Sequence, residues 1–181
     1  MLLSRAVPAF VTFALASAVS AQPVGEDPRG DLASRVLAAH NRERSMVGAP
    51  PLRWDAELAV HAASYGPALA RLRTLVHSPR ESRPGERENL AMAWHGTMSP
   101  EGFVGMWSKE KYLLQPGVFP AVSRTGQWED IAHYTQMVWP TTTRVGCAIY
   151  AADWDYLICR YSPPGNIDGK PIFVAASIAE R

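Results

Sequence analysis

The chain has 181 residues, 47% of them hydrophobic and 19% charged, with a formal net charge of +1 at pH 7. That balance belongs to an ordinary globular protein and excludes disordered and fibrous classes. A near-neutral chain also lacks the field needed to hold a nucleic-acid polyanion, so that class of partner is excluded.

In chain order, Met1-Leu-Leu-Ser-Arg5 is followed by an almost uncharged apolar stretch to Val19 and by Ser20-Ala21 before Gln22. This is the pattern of a secretory signal, so residues 1–21 are expected to be removed. The alternative, an uncleaved anchor, is disfavoured because the run falls short of the ~20 apolar residues a span requires. No later stretch is long and apolar enough to span. Residues 22–30 read as a flexible lead-in, and residues 31–181 as one domain.

A first helix is predicted from Asp31, carrying Leu32, Val36, Leu37, His40 and Met46, and stopping at Gly48-Ala-Pro-Pro51. Asp55 can cap a second, whose Leu58, Ala62, Tyr65, Leu69 and Leu72 make a core-facing stripe, with Gly66-Pro67 as a point of kinking. His77 to Gly85 is a loop, and Glu88 to Met92 a short extended piece. Ser99-Pro100-Glu101 starts a third helix running to Leu114. A long loop then leads to a helix over Ile131–Trp139, ended by Pro140, and the strand-like segments 144–150 and 155–161 follow, with a last segment around 172–178.

Helices first and strands late argue an α+β layered domain. If the two late segments form a hairpin in which Cys147 faces Cys159, about three residues lie between the strands and the sulfurs come within bridging range. Export favours the oxidised pair over two reduced core thiols.

Four segments carry a family resemblance. His40-Asn-Arg-Glu-Arg44, Glu88-Asn89-Leu90, His133-Tyr-Thr-Gln-Met-Val-Trp139 with Arg144-Val-Gly-Cys147, and Ile158 through the Pro-Gly-Asn turn at Asn166 resemble, in order, the motifs of the CAP superfamily (cysteine-rich secretory proteins, antigen 5, pathogenesis-related class 1; the SCP domain). The resemblance implies an α-β-α sandwich with a central antiparallel sheet between helical layers, a surface cleft, and a secreted protein, extracellular or periplasmic. Two cysteines, against several more in the familiar plant and animal members, suggest a microbial-type member. Arg87 stands where the family usually has glycine, beside Glu88, where it could fill or neutralise the cleft.

By the same resemblance, His77, Glu88, Glu110 and His133 face that cleft. Two imidazoles and two carboxylates suit zinc or another divalent metal, with His77 and His133 as ligands and Glu88 and Glu110 as their partners. Two uses of the tetrad stand side by side: a buried His/Glu network that ties helices to the sheet, and a metal site. With a metal, Glu88 or Glu110 is also the candidate base of an extracellular hydrolase. Glu129, one helical turn before His133, could instead occupy that ring. The loop from Gln115 to Gly126, with Val118 and Phe119, offers a third class, a sterol or lipid carrier. A secreted binding or effector module, with an extracellular protein or lipid ligand, is the leading expectation; His40, Asn41 and Arg44 are assigned to packing, and His61 and His95 to no site.

Overall fold

The computed structural model describes residues 28–172. The signal segment, all but the end of the lead-in, and the chain beyond Ile172 lie outside the described residues.

Helix α1, Pro28–Met46, begins three residues before the expected Asp31, with Pro28 at a first-turn position that needs no backbone donor. Its buried stripe runs through Val36, Ala39, His40, Glu43 and Arg44, while the expected Met46 is exposed. Hydropathy misplaces that face because two of its buried members are charged. β1, Arg53–Trp54, is only two residues long and carries no strand pattern of its own. It exists because it adds in parallel to β3, with Arg53 opposite Arg144.

Helix α2, Ala56–Leu72, is capped by Asp55, whose carboxylate accepts from the Glu57 and Leu58 amides. Leu58, Ala62, Gly66 and Leu69 form its buried face, the helix continues through Pro67, and Leu72 is exposed. β2, Arg87–Trp94, is longer than the expected five residues. Helix α3, Pro100–Ser108, is capped by the Ser99 hydroxyl and tightens into a 3-10 turn, Lys109–Leu113, before the expected end at Leu114. Helix α4, Ala132–Val138, is preceded by another 3-10 turn, Trp128–Ile131, and a short one, Arg80–Ser82, lies within the segment expected to be loop.

β3, Arg144–Ala151, and β4, Trp154–Ser162, form the late hairpin, and Cys147 stands directly opposite Cys159. The two cysteines are joined by a disulfide across a Cα–Cα distance of 4.1 Å. The four-stranded sheet runs in the order β1-β3-β4-β2, antiparallel except where β1 joins, so β2 is an edge.

Strand alternation builds the layers. Ala91, Ala93, Val145, Cys147, Leu157, Cys159 and Tyr161 face α1, α3 and α4, where Val36, Phe103, Trp107, Tyr134 and Met137 complete the larger core. Leu90, Tyr156 and Ile158 face the other way and bury Ala62 and Leu69 of α2. A third, smaller core gathers Phe119, Val122, Ile131, Trp139 and Ile172. The arrangement is the expected α-β-α sandwich. Among the described residues no helix is long and apolar enough to cross a membrane.

Candidate functional site

The site follows from β2 being an edge strand. Successive residues of a strand point to opposite faces, so Glu88 and Asn89, neighbours on β2, reach the two sides of the sheet at one place. Glu88 lies opposite Arg160 and Asn89 opposite Cys159 in the ladder. The loop that leaves α2 brings His77 to the first side, and the start of α4 brings His133 to the second. Both imidazoles line one cavity of about 700 Å³, with Glu88, Asn89, Gln136 and Asn166 among its other walls.

Each imidazole is held by its own carboxylate. His77 Nδ1 lies 2.8 Å from Glu88 Oε1, and His133 Nδ1 lies 2.7 Å from Glu110 Oε1. A carboxylate can only accept here, so each ring donates through Nδ1 and, when neutral, presents the Nε2 lone pair. Neither Nε2 has a protein partner among the described residues. The Trp107 ring stacks on His133, with centroids 5.8 Å apart and planes 11° from parallel, and Trp107 Nε1 donates to the Leu90 carbonyl. Ring, indole and sheet are thereby fixed together.

The carboxylates themselves are saturated. Glu88 accepts from the Ser78 amide at 3.0 Å and from the Ser78 hydroxyl at 3.0 Å, and pairs with Arg160 at 3.0 Å, while its side chain has no solvent exposure. Burial pushes the Glu88 carboxyl up, but the hydrogen bond from His77, the Arg160 charge and the two Ser78 donors outweigh it and hold the group below its ordinary range. Glu110 also accepts from the Tyr134 amide at 2.9 Å. Both glutamates therefore orient histidines and sit behind them. Glu110 is not among the cavity-lining residues. Among the described residues no group of three or more His, Cys, Asp or Glu side chains is placed to hold a metal. The donor set fits a metal only through the two Nε2 atoms, with the remaining positions left to water or a ligand.

Other sequence-level expectations meet different geometry. Glu129 does not reach His133: it lies in the 3-10 turn, outside the i,i+4 register of α4, and faces the cavity instead. Phe119 is buried against Trp139 and Trp128, so it is core as well as cavity wall, while Val118 is exposed. His61 and His95 pair with Glu86 and Asp155 at partly exposed positions.

Arg87 neither fills the cavity nor neutralises Glu88. Its Nε donates to the Gly165 carbonyl at 3.2 Å, and the side chain lies along the cavity wall beside Arg80 and Arg83. Burial, then the charges of Arg80 and Arg83, lower the affinity of Arg87 for its proton, with Asp168 opposing. Sequence reasoning missed Arg80, Arg83 and Arg160; the run Arg80-Glu-Ser-Arg83-Pro-Gly-Glu-Arg87 was legible as a charged loop, but not as a wall.

The model of the cysteine-rich secretory protein family, CAP, matches residues 37–161 of the chain. The chain belongs to that family. The CAP domain here is 38% identical over 137 residues to pathogenesis-related protein 1C of Nicotiana tabacum, covering 74% of this chain and 76% of the relative. It is 34% identical over 135 residues to a pathogenesis-related protein of PR-1 type from Sambucus nigra, covering 73% and 76%. These are plant proteins and lend no support to a microbial-type origin. Among solved structures, NaASP2 with Zn2+ superposes with a TM-score of 0.65 at 24% identity, covering 82% of this chain and 88% of that one. Venom allergen-like protein 4 of Schistosoma mansoni superposes at 0.56 and 21%, covering 78% and 93%. The CAP family is generally extracellular, in keeping with the secretory leader expected from residues 1–21.

Proposed function

We propose that this CAP domain is a secreted, extracellular binding module that takes a divalent metal, zinc foremost, at His77 and His133. The observation that carries the reading is the pair of imidazoles on one cavity wall, each tied through Nδ1 to a carboxylate at hydrogen-bond distance. Carboxylate-held histidine is the usual support of a metal ligand, because it sets the tautomer and the ring's direction. A metal bound there would supply Lewis acidity and open positions for a further ligand.

A binding role is favoured over hydrolysis by the state of the two candidate bases. Glu88 is enclosed with both oxygens engaged, and Glu110 holds His133 and the Tyr134 amide, so neither is free to take a proton from a bound water. A lipid or sterol carrier has less support, since Phe119 belongs to the core.

Zinc titration calorimetry on the chain from Gln22 tests the reading, comparing wild type with the His77→Ala, His133→Ala double variant. One-to-one binding in wild type, weakened at least a hundredfold in the variant, is expected. Full zinc affinity in the double variant would sink the site assignment, and no binding in wild type would leave the tetrad as structure.

A further inference from the structure

Three guanidinium groups, Arg80, Arg83 and Arg87, converge on the wall of the cavity that holds His77 and His133. What sets them apart is that three arginines without an ion pair share one cavity, whereas Arg44 and Arg124, also held by carbonyls alone, do not line it. The other arginines whose ion pairs are seen are matched to carboxylates: Arg35 to Glu101, Arg73 to Asp153, Arg144 to Asp55, and Arg160 to Glu86 and Glu88. Among the described residues, none of the three cavity arginines forms an ion pair. Arg83 is buried, and its guanidinium donates only to the carbonyls of Ser78, at 3.1 Å, and Glu86, at 3.4 Å. Arg87 is half-buried and donates only to the carbonyl of Gly165. Arg80 is exposed, and its side chain makes no hydrogen bond among the described residues.

Three acids, Glu88, Glu129 and Asp168, share the lining and offset this charge only at a distance, without an ion pair to it. Glu88 lines the cavity but is spent on His77, Ser78 and Arg160, while Glu129 and Asp168 lie on the lining without an ion pair to any of the three arginines. Desolvating a guanidinium without a counter-charge is costly, and a carbonyl returns only part of that cost. Guanidiniums held by single carbonyl contacts keep further N–H donors, in the fork geometry that suits oxyanions.

We infer that the cavity is an oxyanion site, in which Arg80, Arg83 and Arg87 bind a phosphate group or a carboxylate of a small extracellular ligand. The inference goes beyond the metal reading and does not rest on it, since the arginines alone supply charge and donors.

The test is phosphate titration, followed by calorimetry and amide chemical shifts, on metal-depleted protein. Wild type is expected to bind inorganic phosphate at one site, with shifts centred on residues 80–87 and 165–168. Arg80→Ala and Arg87→Ala are each expected to weaken binding tenfold or more, while Arg42→Ala, an exposed arginine outside the cavity, leaves it unchanged. Arg80 is exposed and makes no contact that folding needs, so its variant keeps the test open if Arg87→Ala misfolds. A parallel titration with acetate separates the two sources of the same chemistry: equal binding assigns a carboxylate ligand, and weaker binding a phosphate one. No phosphate or acetate binding in wild type, or binding that survives Arg80→Ala unchanged, overturns the inference. Because metal is absent throughout, failure of zinc binding leaves this result standing, and the reverse also holds.

Discussion

His40 shows how a motif residue can be structural and still leave a functional signature. Its Nδ1 lies 2.8 Å from the Val36 carbonyl and must donate to it, so Nε2 accepts from the Tyr161 hydroxyl, also at 2.8 Å. Burial, reinforced by the nearby Arg44 charge and opposed by the Val36 hydrogen bond, pushes the imidazole down from 6.5 to about 4. The unfolded chain therefore binds a proton at His40 that the folded one refuses. Stability from this group is complete above the ordinary pKa, falls as pH drops from about 6.5, and is lost by about pH 4, a change of about 3 kcal/mol. Glu88, held below its ordinary range, adds its own loss at lower pH. Urea denaturation across pH 4 to 7 should show the slope in wild type and lose it in His40→Gln; parallel profiles would mean that His40 is protonated in the fold. Arg44, from the same motif, spends its guanidinium on four carbonyls, those of Pro50, Met137, Trp139 and Thr142. The packing role assigned to His40 and Arg44 was legible from their place on a helix face. Which distant carbonyls Arg44 would reach, those of Met137, Trp139 and Thr142, more than ninety residues away in sequence, was not.

Among the elements, those whose pattern is local were the legible ones. Asp55 and Ser99 cap α2 and α3 as their side chains dictate, and the β3–β4 hairpin keeps the register that places Cys147 against Cys159. The elements made by neighbours were not legible: β1 has two residues, and the 3-10 turns at 109–113 and 128–131 tighten helices that a period of 3.6 would extend. Gly146 marks the place where two elements decide each other. A Cβ there would stand 2.3 Å from both the Ala59 amide nitrogen and the Asp55 carbonyl oxygen, so β3 and the start of α2 touch through backbone alone. Neither backbone can yield without moving its whole element, and overpacking of this kind costs about 3 kcal/mol. Gly146→Ala should lower the unfolding free energy by that amount in chemical denaturation; a change below about 0.5 kcal/mol, the usual scale of surface substitutions, would show that the contact is looser than described.

Over the whole molecule, one chain of hydrogen bonds ties the cavity to the core. Asn89 donates to the His133 carbonyl at 3.0 Å and to the Tyr161 hydroxyl at 3.1 Å, and the Tyr161 hydroxyl in turn donates to His40 Nε2. β2, β4, α4 and α1 thus share one network, and the wall that carries His133 is set by it. Asn89→Ala leaves the part-buried carbonyl of His133 and the buried Tyr161 hydroxyl without that donor, which should cost about 2 kcal/mol. A double-mutant cycle with Tyr161→Phe should return a coupling near 1 kcal/mol, as expected for residues in one network; strict additivity would show that the two contacts are independent.

By itself the sequence determined the family, the sandwich class, the caps, the paired cysteines and the identity of four residues around the cavity, because each of these is written in short motifs or in the period of a helix or strand. Tertiary structure decided how those residues divide the work. Glu88 and Glu110 stand behind their histidines, and Glu129 faces the cavity without reaching His133, because an edge strand, a post-helix loop and a helix start meet at one seam. It also gathered Arg80, Arg83 and Arg87 into a wall. Side chains three, four or seven residues apart, along a loop and into the strand that follows it, have no fixed relation until the fold closes around them, and only then do their charges add in one place.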